Sequence, residues 1–368
     1  MREVPFNDFV KAPAAQRMRL DQALKRVVEG GWYILGKEGE AFESEFAGYL
    51  GVKHFVGMGN GLDALHASLL ALAPRFGHRK QVITTPVSAF ATTLAILQAG
   101  LEPVFADIDP ATGNIDPTQV ERKTGRGTAA LLPVHLYGRD CGVEKLRELA
   151  TSAGVLLIED AAQAAGTLIG SPDGGKAGTR GDAGCFSFYP TKNLGTLGDG
   201  GGVATNDDAA AASIRTIRNY GEGAKYRHVV IGLNSRLDEL HAAILRERLK
   251  TLDADNARRR GIAKTYCTRM TNSRIRVPEF DPCSNYHLFP VLCPERERLK
   301  QHLSVRGVQA LIHYPALIPD QPALTGRFRL DDLPHARRWV AEVLSLPLRP
   351  NLDDEELDQV IDAVLSFR

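Results

Sequence analysis

Six residues limit the fold more than any others: Val155-Leu156-Leu157-Ile158-Glu159-Asp160. A run of consecutive apolar residues leaves no face for water, so the strand it forms is covered on both sides. Similar short strands are expected at Val82–Thr85, Pro103–Asp107 and Ala129–His135. Helices are expected between them, at Ser88–Ala99 and Val143–Ala153. Upstream, Phe55-Val56-Gly57-Met58-Gly59-Asn60-Gly61-Leu62 reads as strand, glycine turn and the start of a helix that runs to about Ala73. Strands alternating with helices predict an α/β fold with a mostly parallel mixed sheet between helices. Ligands of such sheets sit beyond the carboxyl ends of the strands. Asp160 and His135 stand at such ends.

A chain of 368 residues is too long for one core. The spacing predicts a large domain over residues 1–251 and a smaller α/β domain over 252–368. The first begins with amphipathic helices at Ala14–Glu29 and Glu38–Leu50, the latter carrying Phe42, Phe46 and Tyr49. Later come a helix at Asp207–Arg218, a polar loop at Glu222–His228 and a helical stripe of Leu237, Leu240, Ile244, Leu245 and Leu249. In the second, helices are expected at Asp253–Met270, Pro294–Arg306, Leu333–Leu344 and Asp353–Leu365, with a strand at Tyr286–Cys293. A net charge of +1 offers no field to a nucleic acid or a membrane surface. No apolar run approaches the roughly 18 residues of a membrane span. Residues 1–8 lack the apolar core of a signal peptide. The five cysteines are scattered without metal-site spacing, so reduced thiols, no bound metal and a cytoplasmic location are expected.

One lysine stands out. Lys192 lies in Ser187-Phe188-Tyr189-Pro190-Thr191-Lys192-Asn193-Leu194-Gly195, followed by Asp199-Gly200-Gly201-Gly202. It is either an ordinary loop lysine or a Schiff-base lysine, whose desolvated neutral amine attacks an aldehyde. An aldehyde cofactor that also carries a phosphate is pyridoxal phosphate. It needs four things from a protein. Lys192 is the candidate amine. Asp160 suits the pyridine nitrogen, with a helix cap as its alternative role. The Gly61 and Leu62 amides and the Ser187 hydroxyl are available for the phosphate. Phe90, at a strand-to-helix turn, can cover the ring, with core packing as its alternative. All four fall at strand-to-helix loops. A second glycine stretch, Gly170-Ser171-Pro172-Asp173-Gly174-Gly175-Lys176, matches the phosphate-loop pattern only until Ala177 stands where Ser or Thr is needed.

The chain resembles the DegT/DnrJ/EryC1/StrS sugar aminotransferases, of pyridoxal-phosphate fold type I. The likeness rests on Gly31-Trp32-Tyr33-Ile34-Leu35-Gly36, Gly59-Asn60-Gly61-Leu62-Asp63-Ala64-Leu65, Pro133-Val134-His135-Leu136-Tyr137-Gly138, Ile158-Glu159-Asp160-Ala161-Ala162-Gln163, the Lys192 loop, and Leu233-Asn234-Ser235-Arg236-Leu237-Asp238-Glu239. It implies that Lys192 moves the proton between the amino-acid Cα and the cofactor, and that Asp160 pairs with the pyridine nitrogen. It sets Gln163 beside the ring's phenolic oxygen. It gives Ser187, Gly61 and Leu62 to the phosphate. It sends Asn234, which spacing alone reads as a helix cap, to the neighbouring subunit's phosphate, so a homodimer is implied. Tyr33, His313 and Tyr314 fall on the substrate side. The amino donor implied is L-glutamate. Tyr189 before the proline and Asp199-Gly200-Gly201 after the lysine resemble enzymes that aminate a nucleotide-linked 3-oxo hexose. The alternatives are a 4-oxo sugar, a keto-inositol, a sugar dehydratase, in which histidine replaces the lysine, and a non-catalytic cofactor-binding regulator.

Overall fold

The computed structural model describes residues 2–11, 14–328 and 332–368. The helices α1 (Ala14–Gly30) and α2 (Lys37–Leu50) lead into β1 (His54–Met58) and α3 (Gly61–Leu72). Then come β2 (Gln81–Thr84), α4 (Phe90–Gln98), β3 (Glu102–Phe105), α5 (Pro117–Lys123), β4 (Thr128–Leu132), α6 (Val143–Ala153) and β5 (Leu156–Asp160). The strands β6 (Ala183–Ser187) and β7 (Gly201–Thr205) bracket the lysine loop, and α7 (Asp208–Ile217) follows. These strands make a seven-stranded sheet in the order β1-β7-β6-β5-β4-β2-β3. The run from β3 to β6 is parallel, and β7 is antiparallel to both its neighbours.

Neither β6 nor β7 is expected from the sequence, which spells a glycine-rich loop here. Glycine is a poor strand former. Here the slot between two strands demands it: a Cβ at Gly202 would meet the Phe55 ring at 2.3 Å, and one at Gly201 the Asn60 backbone at 2.4 Å. Aromatic packing anchors the same region. Phe42, Phe46, Phe55, Phe186 and Phe188 form one buried cluster, with Phe46 edge-on to Phe55 at 4.8 Å and to Phe186 at 5.3 Å. Strand alternation puts Phe186 and Phe188 into this cluster and turns Ser187 to the other face.

Beyond β7 the chain makes a small hairpin, β8 (Glu222–Ala224) with β9 (Arg227–His228), where a polar loop is expected. The next helix, α8 (Glu239–Leu249), begins five residues after Asn234. Asn234-Ser235-Arg236 therefore caps no helix. Ser235 Oγ instead accepts the Gly59 N–H at 3.0 Å, and Arg236 donates to Asn219 Oδ1 at 3.0 Å. The remainder is α9 (Leu252–Arg269), β10 (Phe289–Leu292), α10 (Arg296–Val305), α11 (Pro334–Glu342), β11 (Val343–Leu346) and α12 (Asp354–Leu365). The helix expected to run to Leu344 stops at Glu342. Val343 and Leu344 are fully buried and pair with β10, so core packing overrides the helical spacing. Val4 joins this second core beside Ile262, Tyr266 and Leu303, held by hydrogen bonds to Gly307 and Gln309.

Candidate active site

The site is built on the end of β5. Alternation along the strand sends Glu159 and Asp160 to opposite faces. Asp160 is 4% exposed. Its Oδ2 accepts the Thr92 hydroxyl at 2.8 Å, and its Oδ1 accepts the Ala162 N–H at 3.1 Å. Burial pushes its carboxyl above the ordinary value, against these two bonds and the charge of Lys192.

Glu159 is buried on the other face, where it accepts N–H groups from Gly178, Arg180 and Gly181 and meets His135 Nε2 at 2.8 Å. His135, which also stands at a strand end, therefore turns its ring to the face opposite Asp160. Its Nδ1 accepts the Cys141 N–H at 3.3 Å. His135, Asp140 and Cys141 carry potential metal ligands within 4.8 Å of one another, but both ring nitrogens already have protein partners. Burial opposes charge on both members of the pair. For His135 the Cys141 and Glu159 contacts outweigh it and hold the imidazole well above its usual value. For Glu159 the His135 and backbone bonds outweigh it and hold the carboxyl low.

Lys192 is half-buried, in a turn closed by its own N–H to Tyr189 O at 2.8 Å. Burial pushes its ammonium down to about 8, against the pull of Asp160. The same charges reach the second half of the chain. Burial and then Lys192 push His313 down to about 4, and burial and then Asp160 push Tyr314 up to about 12. Gln163 joins the two halves, its Nε2 donating to Tyr314 OH at 3.2 Å. Asp160, Lys192, Gln163, His313 and Tyr314 are thus linked by charge or hydrogen bonding.

The phosphate-side residues also meet. The N-terminus of α3 rests on β6 and β7 so closely that a Cβ at Gly61 would lie 2.7 Å from Ser187 Cβ. Only glycine admits this approach, and it leaves the first N–H groups of α3 beside the Ser187 hydroxyl. Asn60 caps the helix by accepting the Asp63 N–H at 2.8 Å. Phe90 is half-buried as the first residue of α4, two residues before Thr92. Tyr33 and Asn234 stand apart, exposed on the surface of the single chain. Trp32 and Tyr33 are 67% and 48% exposed, so neither packs into the core of the single chain.

Three residues near the site carry no assignment from sequence. Thr92 holds Asp160, and its motif offers only a common helix threonine. Asn193 ties the lysine loop to Asn256, to the Asn285 carbonyl and to His287 Nδ1 at 3.2 Å. Tyr137 lies inside a quoted motif without a role.

The model of the DegT/DnrJ/EryC1/StrS aminotransferase family matches residues 15–365. The chain belongs to this family. It is 44% identical to the erythromycin biosynthesis sensory transduction protein EryC1 of Saccharopolyspora erythraea, covering 98% of each chain. It is 41% identical to a dTDP-3-amino-3,4,6-trideoxy-alpha-D-glucose transaminase of Streptomyces venezuelae, over 98% of this chain and 95% of the relative. The crystal structure of S. venezuelae DesV in complex with a ketimine intermediate superposes with a TM-score of 0.94 at 40% identity, covering 99% of this chain and 98% of the other. This aminotransferase uses pyridoxal phosphate. Its residues fit that group: an amine of lowered pKa, a buried carboxylate held by Thr92 and Ala162, and the Gly61 cradle that a Cβ would fill. Among the described residues no helix is long and apolar enough to cross a membrane.

Proposed function

We propose that this aminotransferase moves the amino group of L-glutamate to a nucleotide-linked 3-oxo hexose, dTDP- or UDP-bound, for amino-sugar biosynthesis in the cytoplasm. The convergence of Lys192, Asp160, Gln163, His313 and Tyr314 on one site carries the reading. The 3-amino sugar in the name of the S. venezuelae transaminase supports a 3-oxo sugar.

Pyridoxal phosphate supplies an electron sink for the bond to the amino-acid Cα. The protein does the rest. Asp160, fixed by Thr92 and Ala162, holds a proton on the pyridine nitrogen. The α3 amides of Gly61 and Leu62 and the Ser187 hydroxyl would hold the phosphate, and Phe90 would cover the ring. Lys192, once free, takes the proton from the Cα of glutamate and returns it to the carbon of the amino sugar. Its lowered pKa lets it be the base near neutrality. Tyr33, His313 and Tyr314 bind the substrates. Two copies are needed: Asn234 of one reaches the phosphate held by the other. The exposed apolar surface of Tyr226, Val229, Val230 and Ile231 supports that pairing. The proposed division is a large lobe ending near residue 251 and a small one over 252–368, which also takes in the segment around Val4.

The test is the visible absorption of the cofactor-loaded protein. L-Glutamate is expected to bleach the band, and Lys192→Ala to lack both band and turnover. A wild-type band unmoved by glutamate sinks the proposed donor. Product analysis with 3-oxo and 4-oxo nucleotide sugars and with a keto-inositol then fixes the acceptor.

A further inference from the structure

Tyr137 occupies a backbone position that costs energy. Its φ is +62°, in the left-handed region, and it has no glycine's freedom there. A side chain held in that region points to a local demand that overrides the cost. Three hydrogen bonds show the demand. The Tyr137 N–H donates to Gln163 Oε1 at 2.6 Å, its hydroxyl donates to the His313 carbonyl at 2.6 Å, and the same hydroxyl accepts Trp339 Nε1–H at 3.0 Å.

These bonds close a circuit. Tyr137 fixes the Gln163 amide by its oxygen, so Nε2 must face Tyr314 OH, where it donates at 3.2 Å. The next peptide unit back is His313, whose carbonyl returns to the Tyr137 hydroxyl. A hydroxyl that accepts from Gln163 has its own proton left to give. Burial, then the charge of Asp160, keeps Tyr314 protonated. Its proton is thus left for an acceptor outside this circuit.

We propose that Tyr137 is a positioning residue for the sugar half of the reaction: through Gln163 and the His313 carbonyl it sets Tyr314 as hydrogen-bond donor to an oxygen of the keto-sugar. This rests on the substrate class proposed above. Tyr137 itself touches no substrate.

The experiment uses the cofactor-loaded enzyme with a nucleotide-linked 3-oxo hexose. Tyr137→Phe keeps the ring and the N–H bond to Gln163 but deletes the hydroxyl. KM for the sugar, and its dissociation constant by calorimetry, are expected to rise about tenfold, the scale of one lost buried hydrogen bond. kcat should stay within about threefold, and the glutamate response of the visible band should not change. Tyr314→Phe should raise KM similarly, and the double variant no further, because both changes break one circuit. Trp339→Phe, which leaves the Tyr137 hydroxyl in place, should give a smaller rise in the same direction. Unchanged sugar affinity in Tyr137→Phe, or additive effects in the double variant, overturns the assignment. A parallel loss of kcat, KM and cofactor band also overturns it, in favour of a purely structural role. A wild type that binds none of the nucleotide sugars sinks the substrate class instead.

Discussion

At the scale of single residues, chemistry is decided by what burial does to a charge. Burial brings Lys192 down to about 8. Below that pH the amine is mostly protonated and inert toward an aldehyde; above it the neutral form dominates. Capture of pyridoxal phosphate by stripped protein should therefore quicken between pH 7 and 9 with a midpoint near 8, measured as the rate of appearance of the visible band. A midpoint near the ordinary lysine value of 10.5 would contradict the desolvated environment. Lys192, Asp160 and Ser187 could be picked out as candidates in the sequence because they fall at the loops where ligands of such a sheet sit. Thr92 was not. It meets Asp160 across 68 residues of chain, and no local pattern encodes such a contact.

At the scale of elements, β5 works on both faces. Asp160 serves the site while Glu159, with His135, knits β5 to the 178–181 turn. The signs of the two shifts set a pH window. Glu159 is held low, so its stabilisation is present above the ordinary glutamate value of 4.5 and is lost as pH falls through its lowered one. His135 is held high, so its share is present below the ordinary histidine value of 6.5 and fades as pH rises through its raised one. Glu159→Gln should therefore lower Tm most between about pH 4.5 and 6.5, with the gap from wild type narrowing in alkaline buffer. A gap that does not vary with pH would show that the backbone bonds alone matter. The apolar strand β5 could be read from its composition, whereas β6 and β7 could not. Gly201 and Gly202 spell a turn locally, and only the crowding of Asn60 and Phe55 makes them a strand.

At the scale of the whole molecule, the single chain leaves apolar surface uncovered. Ile231 is 97% exposed, and Val229, Val230 and Tyr226 are exposed beside it. Sedimentation should find a dimer, and Ile231→Asp should shift it toward monomer, with activity lost in step because Asn234 then has no partner site. A monomeric wild type that turns over fully would remove the shared site. The alternating pattern of strands made the larger sheet legible, but the union of chain start with chain end was not. Val4 hydrogen-bonds to Gly307 and Gln309. On a ribosome adding about 10 residues per second, that bridge waits roughly half a minute for its other side to be made. The segment around Val4 thus emerges well before the residues it pairs with, and settles only once they are made. A nascent chain ending between the sheet and residue 307 should hold the sheet without its strap, and the second core should close only once residues 307–309 have emerged.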